Sequence, residues 1–152
     1  MLCLSKKPYR FTITDELDED YLKYLRRRAN MRAMPQSQQP CAHTRLDISL
    51  DDDEGDVVAG LAAYTSDSRL QIDTVWVHPS LNRGEICARL VSMAEQVARE
   101  RGCTVARVCT CSAPDDFLTL GYVVSGKMVA FPDGVAIFWL EKPLQTVQVE
   151  SA

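Results

Sequence analysis

Apolar and polar positions alternate over residues 9–14 (Tyr9-Arg10-Phe11-Thr12-Ile13-Thr14), the period-two pattern of a half-buried strand. Residues 19–32 read as a helix that Asp15 or Asp18 can cap, with acids at its start and Arg26, Arg27, Arg28 and Arg32 near its end, as the helix dipole favours. A polar, proline-bounded loop follows at 35–40. Residues 45–50 and 56–65 read as two strands joined by the acidic turn Asp51-Asp52-Asp53-Glu54-Gly55. Residues 70–77 (Leu-Gln-Ile-Asp-Thr-Val-Trp-Val) are rich in β-branched and aromatic types and end at His78-Pro79, where proline stops a ladder. Beyond the turn 80–85, Ile86, Leu90, Val91, Met93, Ala94, Val97 and Ala98 recur at spacings of mostly three and four, one apolar stripe along a helix that ends near Gly102. A strand over 104–111, a short helix near 114–118 and strands over 122–128 and 135–140 complete the pattern. No internal repeat interrupts it, and the tail 145–152 is expected to fray.

At 152 residues, with 46% hydrophobic and 25% charged positions, the chain is expected to form one domain over 1–152. A net charge of -4 and a pI near 5.2 give no general footprint for nucleic acid or an anionic membrane. No apolar run reaches the length of a membrane span, and Lys6, Lys7 and Arg10 precede no signal-like stretch, so a cytoplasmic location is expected. The six cysteines fall mostly inside regular elements and read as free thiols packed as small hydrophobes. Cys109 and Cys111 point to one face of a strand, but His43 and His78 stand at no ligand-type spacing from them, so core thiols are expected and no metal.

Residues 70–102 form a strand, a glycine-bearing turn and a helix. The helix start directs unpaired N–H groups and partial positive charge at the turn, a geometry suited to phosphate, although many α/β proteins carry such a unit only as packing. Asp73 is the anomaly of its strand: a charge among Ile, Val and Trp. Strict alternation places it on one face with Val75 and Val77.

Three segments carry a family resemblance. Val77-His78-Pro79 and the following turn are similar to a "V-x-P" strand end with a Q/R-x-x-G-x-G/A pyrophosphate loop. Residues 113–122 (Ala-Pro-Asp-Asp-Phe-Leu-Thr-Leu-Gly-Tyr) look like "A-x-x-F-Y-x-x-L-G-F/Y". Gly126, Pro132, Gly134 and the ending Leu140-Glu141-Lys142-Pro143-Leu144 are similar to "G…P-x-G…L-x-K-x-L". In this order and spacing the chain resembles the GNAT superfamily of acetyl-CoA-dependent N-acetyltransferases over about 9–144. The resemblance implies an α/β (α+β) fold with a mixed, largely antiparallel central sheet flanked by helices. It implies transfer of an acetyl group from acetyl-CoA to a primary amine of a small molecule or peptide, and a homodimer is compatible with it; the charge balance adds the expectation of no nucleic acid or membrane partner. The resemblance further implies Asp73 as catalytic base, or as orienter of a base water, with the backbone of Val75 and Val77 binding the pantetheine arm. Asn82, Arg83, Gly84, Glu85, Ile86 and Cys87 would form the phosphate loop, and the Arg26–Arg28 run would meet the acceptor or the 3′-phosphate if it is not simply a solvated helix end.

Against the loop motif, Asn82 takes the Gln/Arg position, Glu85 the first Gly and Cys87 the last Gly/Ala. A Glu85 carboxylate within about 5 Å of a phosphate would cost roughly 3 kcal/mol, whereas one pointing outward from the first helical turn gains about 0.3 to 1 kcal/mol from the dipole. The place of the tyrosine that often acts as general acid falls on Phe117, for which Tyr122, Ser112 or Cys111 would have to substitute. These departures support a competing expectation, a catalytically degenerate GNAT-like domain acting as a protein-binding or regulatory module.

Overall fold

The computed structural model describes residues 9–28, 43–110, 115–130 and 134–144. Along the chain run β1 (Arg10–Thr14), α1 (Glu19–Arg28), β2 (Thr44–Asp51), β3 (Val57–Ser66), β4 (Arg69–Val77), α2 (Arg83–Glu100), β5 (Val105–Thr110), α3 (Asp115–Leu118), β6 (Val123–Ala130) and β7 (Val135–Pro143). The strands form one seven-stranded sheet in the order β1-β2-β3-β4-β5-β7-β6. Every neighbouring pair is antiparallel except β4 and β5, which α2 connects in parallel. The expected fold class, a mixed and mostly antiparallel sheet with helices against it, is the observed one. Part of the expected first helix, the 35–40 loop, Cys111, Ser112 and the tail 145–152 lie outside the described residues.

The main core lies between the sheet and α2, where Leu46, Ile48 and Leu50 of β2, Leu61 of β3 and Leu70 and Ile72 of β4 meet Leu90, Val91 and Ala94. Helix α2 ends in a Schellman arrangement. The Cys103 amide reaches the Ala98 carbonyl, the Gly102 amide reaches that of Arg99, and Gly102 takes φ 88°, the left-handed conformation that glycine adopts without a Cβ penalty.

On the opposite face Leu22 and Leu25 of α1 bury Ala62 and Trp76. Two tyrosines pin this helix: the Tyr21 hydroxyl donates to the Ile48 carbonyl at 2.6 Å and that of Tyr24 to the Val57 carbonyl at 3.0 Å. Gly60 makes room for the first contact, since a Cβ there would run into the Tyr21 hydroxyl. At the β2–β3 turn, Asp52 Oδ1 accepts the amides of Glu54 and Asp56, so the acidic tip holds its own bend.

Two irregularities position the site. Ala62 pairs with Thr74 but Ala63 pairs with Ile72, so Asp73 is the extra residue of a β-bulge in β4. The β4–β5 ladder also stops early, running only from Arg69 with Val105 to Ile72 with Val108. Beyond that point β4 stays paired with β3, and β5 with β7 through Cys109 and Thr110. The sheet therefore splits into a wedge between the C-terminal halves of two parallel strands.

Candidate active site

The bulge corrects the expected placement of Asp73. Leu70 and Ile72 face α2, and so do Val77, which is in the core, and Val75, which packs against it, because one added residue shifts the alternation by one. Asp73 is left on the other face. Its charged neighbours there are Arg45 and Asp47 of β2, Arg26 of α1 and His43.

Among the described residues, the wedge leaves backbone groups of β4 without a partner strand. The His78 amide donates to the Val58 carbonyl at 2.8 Å, so the backbone groups of Thr74 and Trp76 also turn toward β3. Those of Val75 and Val77 consequently turn away from β3, into the wedge that β5 has left. Unpaired strand edges of this kind are templates for an extended ligand carrying its own donors and acceptors.

At the mouth of the wedge stands the start of α2. The helix begins at Arg83, earlier than its apolar stripe indicates, because Asn82 caps it: Asn82 Oδ1 accepts the Glu85 amide at 3.0 Å. The Ile86 amide opens the intrahelical ladder on the Asn82 carbonyl. Of the first-turn donors, the amides of Arg83 and Gly84 therefore remain pointed out of the helix end. Among the expected loop residues, Asn82 caps, Glu85 is exposed in the first turn, Ile86 packs against the core and Cys87 is 3% exposed within it. A Cβ at Gly84 would meet only Asn82 Oδ1, at 3.8 Å, so the protein's own packing does not demand glycine there.

The surroundings of Asp73 are polar and partly buried. Asp47, 1% exposed, receives Arg45 through both its oxygens, NH2 to Oδ1 at 2.7 Å and Nε to Oδ2 at 3.2 Å, and also accepts the Ala63 amide at the step where the bulge breaks the ladder. The His43 ring stands edge-on to Tyr64 at 5.1 Å. Burial pushes the Asp73 carboxyl above the ordinary carboxylate range, with Asp47 adding to the rise and Arg45, Arg26 and His43 opposing it. A cavity of about 770 Å³ lies beside this cluster between β1, β2 and the start of α1, lined among others by Thr12, Glu16, Asp18, Tyr21, Asp47 and Asp51.

Phe117 of α3 lies in the main core, its ring T-shaped against Tyr122 at 5.6 Å. Tyr122 is also buried and donates its hydroxyl to Glu95 Oε2 at 2.7 Å. Burial, then the charge of Glu95 and the bond to it, raise this phenol well above its ordinary value, and its hydroxyl is engaged by Glu95 inside the core.

Sequence reasoning missed the Arg45–Asp47 pair, the bulge and the bridge from Arg83 to Asp116, in which NH2 lies 2.7 Å and Nε 2.9 Å from Oδ2. Only the Asn82-x-x-Glu85 spacing carried a readable signal, that of a helix cap. Cys87, Cys103 and Cys109 carry no disulfide among the described residues, and no described helix is long and apolar enough to cross a membrane.

The acetyltransferase (GNAT) family model matches residues 11–118. An acetyltransferase of Agrobacterium fabrum is 32% identical over 100 residues, 64% of this chain and 72% of the relative. A blasticidin-S acetyltransferase of Streptomyces morookaense is 28% identical over 60% of this chain and 70% of its own. Among solved structures, a chain of the NatC complex bound to Gag peptide and CoA superposes with a TM-score of 0.68 at 14% identity, over 90% of this chain and 99% of that one. The match spans the bulged strand, the wedge and the capped helix start, and the chain belongs to the GNAT family of acetyltransferases.

Proposed function

We propose that this acetyltransferase takes its acetyl group from acetyl-CoA and passes it to a primary amine. The observation that carries the donor half is the wedge beside the α2 start: the backbone of Val75 and Val77 meets the amide-bearing pantetheine arm, and the Arg83 and Gly84 amides meet the diphosphate. Glu85 does not obstruct this reading, since its amide serves the cap and its side chain is exposed in the first turn, where a carboxylate complements the dipole. The degenerate-module reading therefore loses its main electrostatic support.

The acceptor arrives on the α1 face, where Asp73 and the acid-lined cavity favour a protonated amine. Asp73 takes the ammonium proton, directly or through a water. The neutral nitrogen then attacks the thioester carbonyl, the C–S bond breaks, and the thiolate leaves and is protonated from solvent; a thiol of pKa about 8.5 is a tolerable leaving group without a dedicated acid. The relative named for blasticidin-S supports a small-molecule acceptor class.

Melting the protein with millimolar acetyl-CoA tests the donor half. A ligand at about 100 times its dissociation constant adds roughly 2.7 kcal/mol, and the midpoint should rise accordingly. Release of free CoA in the presence of a panel of primary amines tests the acceptor half. An unmoved midpoint would remove acetyl-CoA as the donor, and binding without release by any amine would remove the amine.

A further inference from the structure

The Arg83–Asp116 bridge has an unusual position. Arg83 opens α2, which follows β4, and Asp116 lies in α3, which follows β5, so the pair joins the two sides of the wedge at its mouth. Both guanidinium contacts converge on the single oxygen Oδ2. The arginine side chain is 55% exposed against 23% for the aspartate, which leaves the outer side of the guanidinium facing solvent. The two charges flank Cys87 in the second turn of α2: burial and then Asp116 push its thiol up to about 11, while Arg83 opposes them.

We propose that Asp116 is a rival of the acetyl-CoA diphosphate for the Arg83 guanidinium and thereby sets the affinity of the donor site. This rests on the acetyl-CoA reading above. The amides of Arg83 and Gly84 fix where a diphosphate sits, and the Arg83 side chain departs from that same residue. An anion held by those amides is within reach of the guanidinium and of the carboxylate it already holds. A diphosphate carries more charge than one carboxylate and gains the two helix amides, so it captures the guanidinium. Displacing Asp116 subtracts from the binding, and the freed carboxylate repels the phosphates. Asp116 thus weakens the donor site, and because both costs fall only on ligands that need the guanidinium, it narrows their advantage over uncharged thioesters.

The test is calorimetric titration of CoA into the wild-type chain, D116N, R83Q and the double variant, each checked by circular dichroism, at low and physiological ionic strength. D116N should bind CoA about three- to tenfold more tightly, an advantage that shrinks as salt rises. R83Q should bind about tenfold more weakly, and in its background D116N should gain less than it does beside Arg83, because the contested group is gone and only the repulsion remains to be relieved. If Asn disturbs the first turn of α3, D116S provides the same comparison. CoA binding that is unchanged or weakened in both D116N and D116S overturns the rivalry while leaving acetyl-CoA as donor. No CoA binding by any variant overturns the donor reading and the rivalry with it.

Discussion

The hydroxyl of Tyr122 and the carboxylate of Glu95 meet at 2.7 Å inside the protein, where Glu95 is 4% exposed. Lys142 Nζ lies 3.1 Å and Arg99 NH2 3.7 Å from the other carboxylate oxygen, so one buried anion ties α2 to β7 and to Tyr122, the residue before β6. Tyr122→Phe removes one of its donors and should cost about 1 to 3 kcal/mol in thermal or urea unfolding. Turnover per folded molecule should stay within about twofold of wild type. A large fall in turnover at unchanged stability would restore Tyr122 as an acid.

Gly84→Ala separates ligand from fold. Alanine in the first turn of α2 should raise stability by about 0.4 to 1 kcal/mol, since the protein offers its Cβ only a 3.8 Å contact. The same Cβ stands beside the amides assigned to the diphosphate, and CoA affinity should fall about tenfold or more. A melting curve and a titration on one sample check both directions.

At Gly60 the constraint is internal. Gly60→Ala sets a methyl against the Tyr21 hydroxyl and 2.9 Å from Leu25 Cδ1, and it should cost about 1 to 3 kcal/mol as α1 is pushed from the sheet. Urea denaturation should show a lower midpoint with an unchanged slope.

Asp73→Asn distinguishes a burdened carboxylate from an idle one. Burial raises the folded pKa above the ordinary value of about 3.9, so between the two pKa values the native state holds more protons than the unfolded chain. The stability contributed by this group is complete below the ordinary carboxylate pKa and is lost as pH rises through the folded value. Asn should therefore melt higher than wild type at pH 7, with the advantage vanishing near pH 4, while turnover falls by about a hundredfold with little change in CoA affinity. An unaltered rate would move the base elsewhere on the α1 face.

Much of this architecture was legible in the chain. The stripe from Ile86 to Ala98 did predict the face that α2 buries, and the β-branched run over 70–77 did predict a strand, because burial on a regular element imposes its period on sequence. The bulge at Asp73 left no such trace. No Gly or Pro marks it, and an aspartate that breaks alternation reads the same as one that keeps it until the partner strand is known. The cap at Asn82 was readable but masked by the apolar Ile86, which drew the expected helix start inward. The Arg83–Asp116 bridge spans 33 positions and rests on tertiary placement alone.

The central claim is that CoA lies in the wedge with its phosphates on the α2 start, and amide NMR during a CoA titration tests it most directly. The amides of Val75, Val77, Arg83 and Gly84 should shift strongly, and those of Thr74 and Trp76, turned toward β3, should shift much less. Shifts clustered instead around the cavity beside Tyr21 and Asp51, with Arg83 and Gly84 unmoved, would contradict the account.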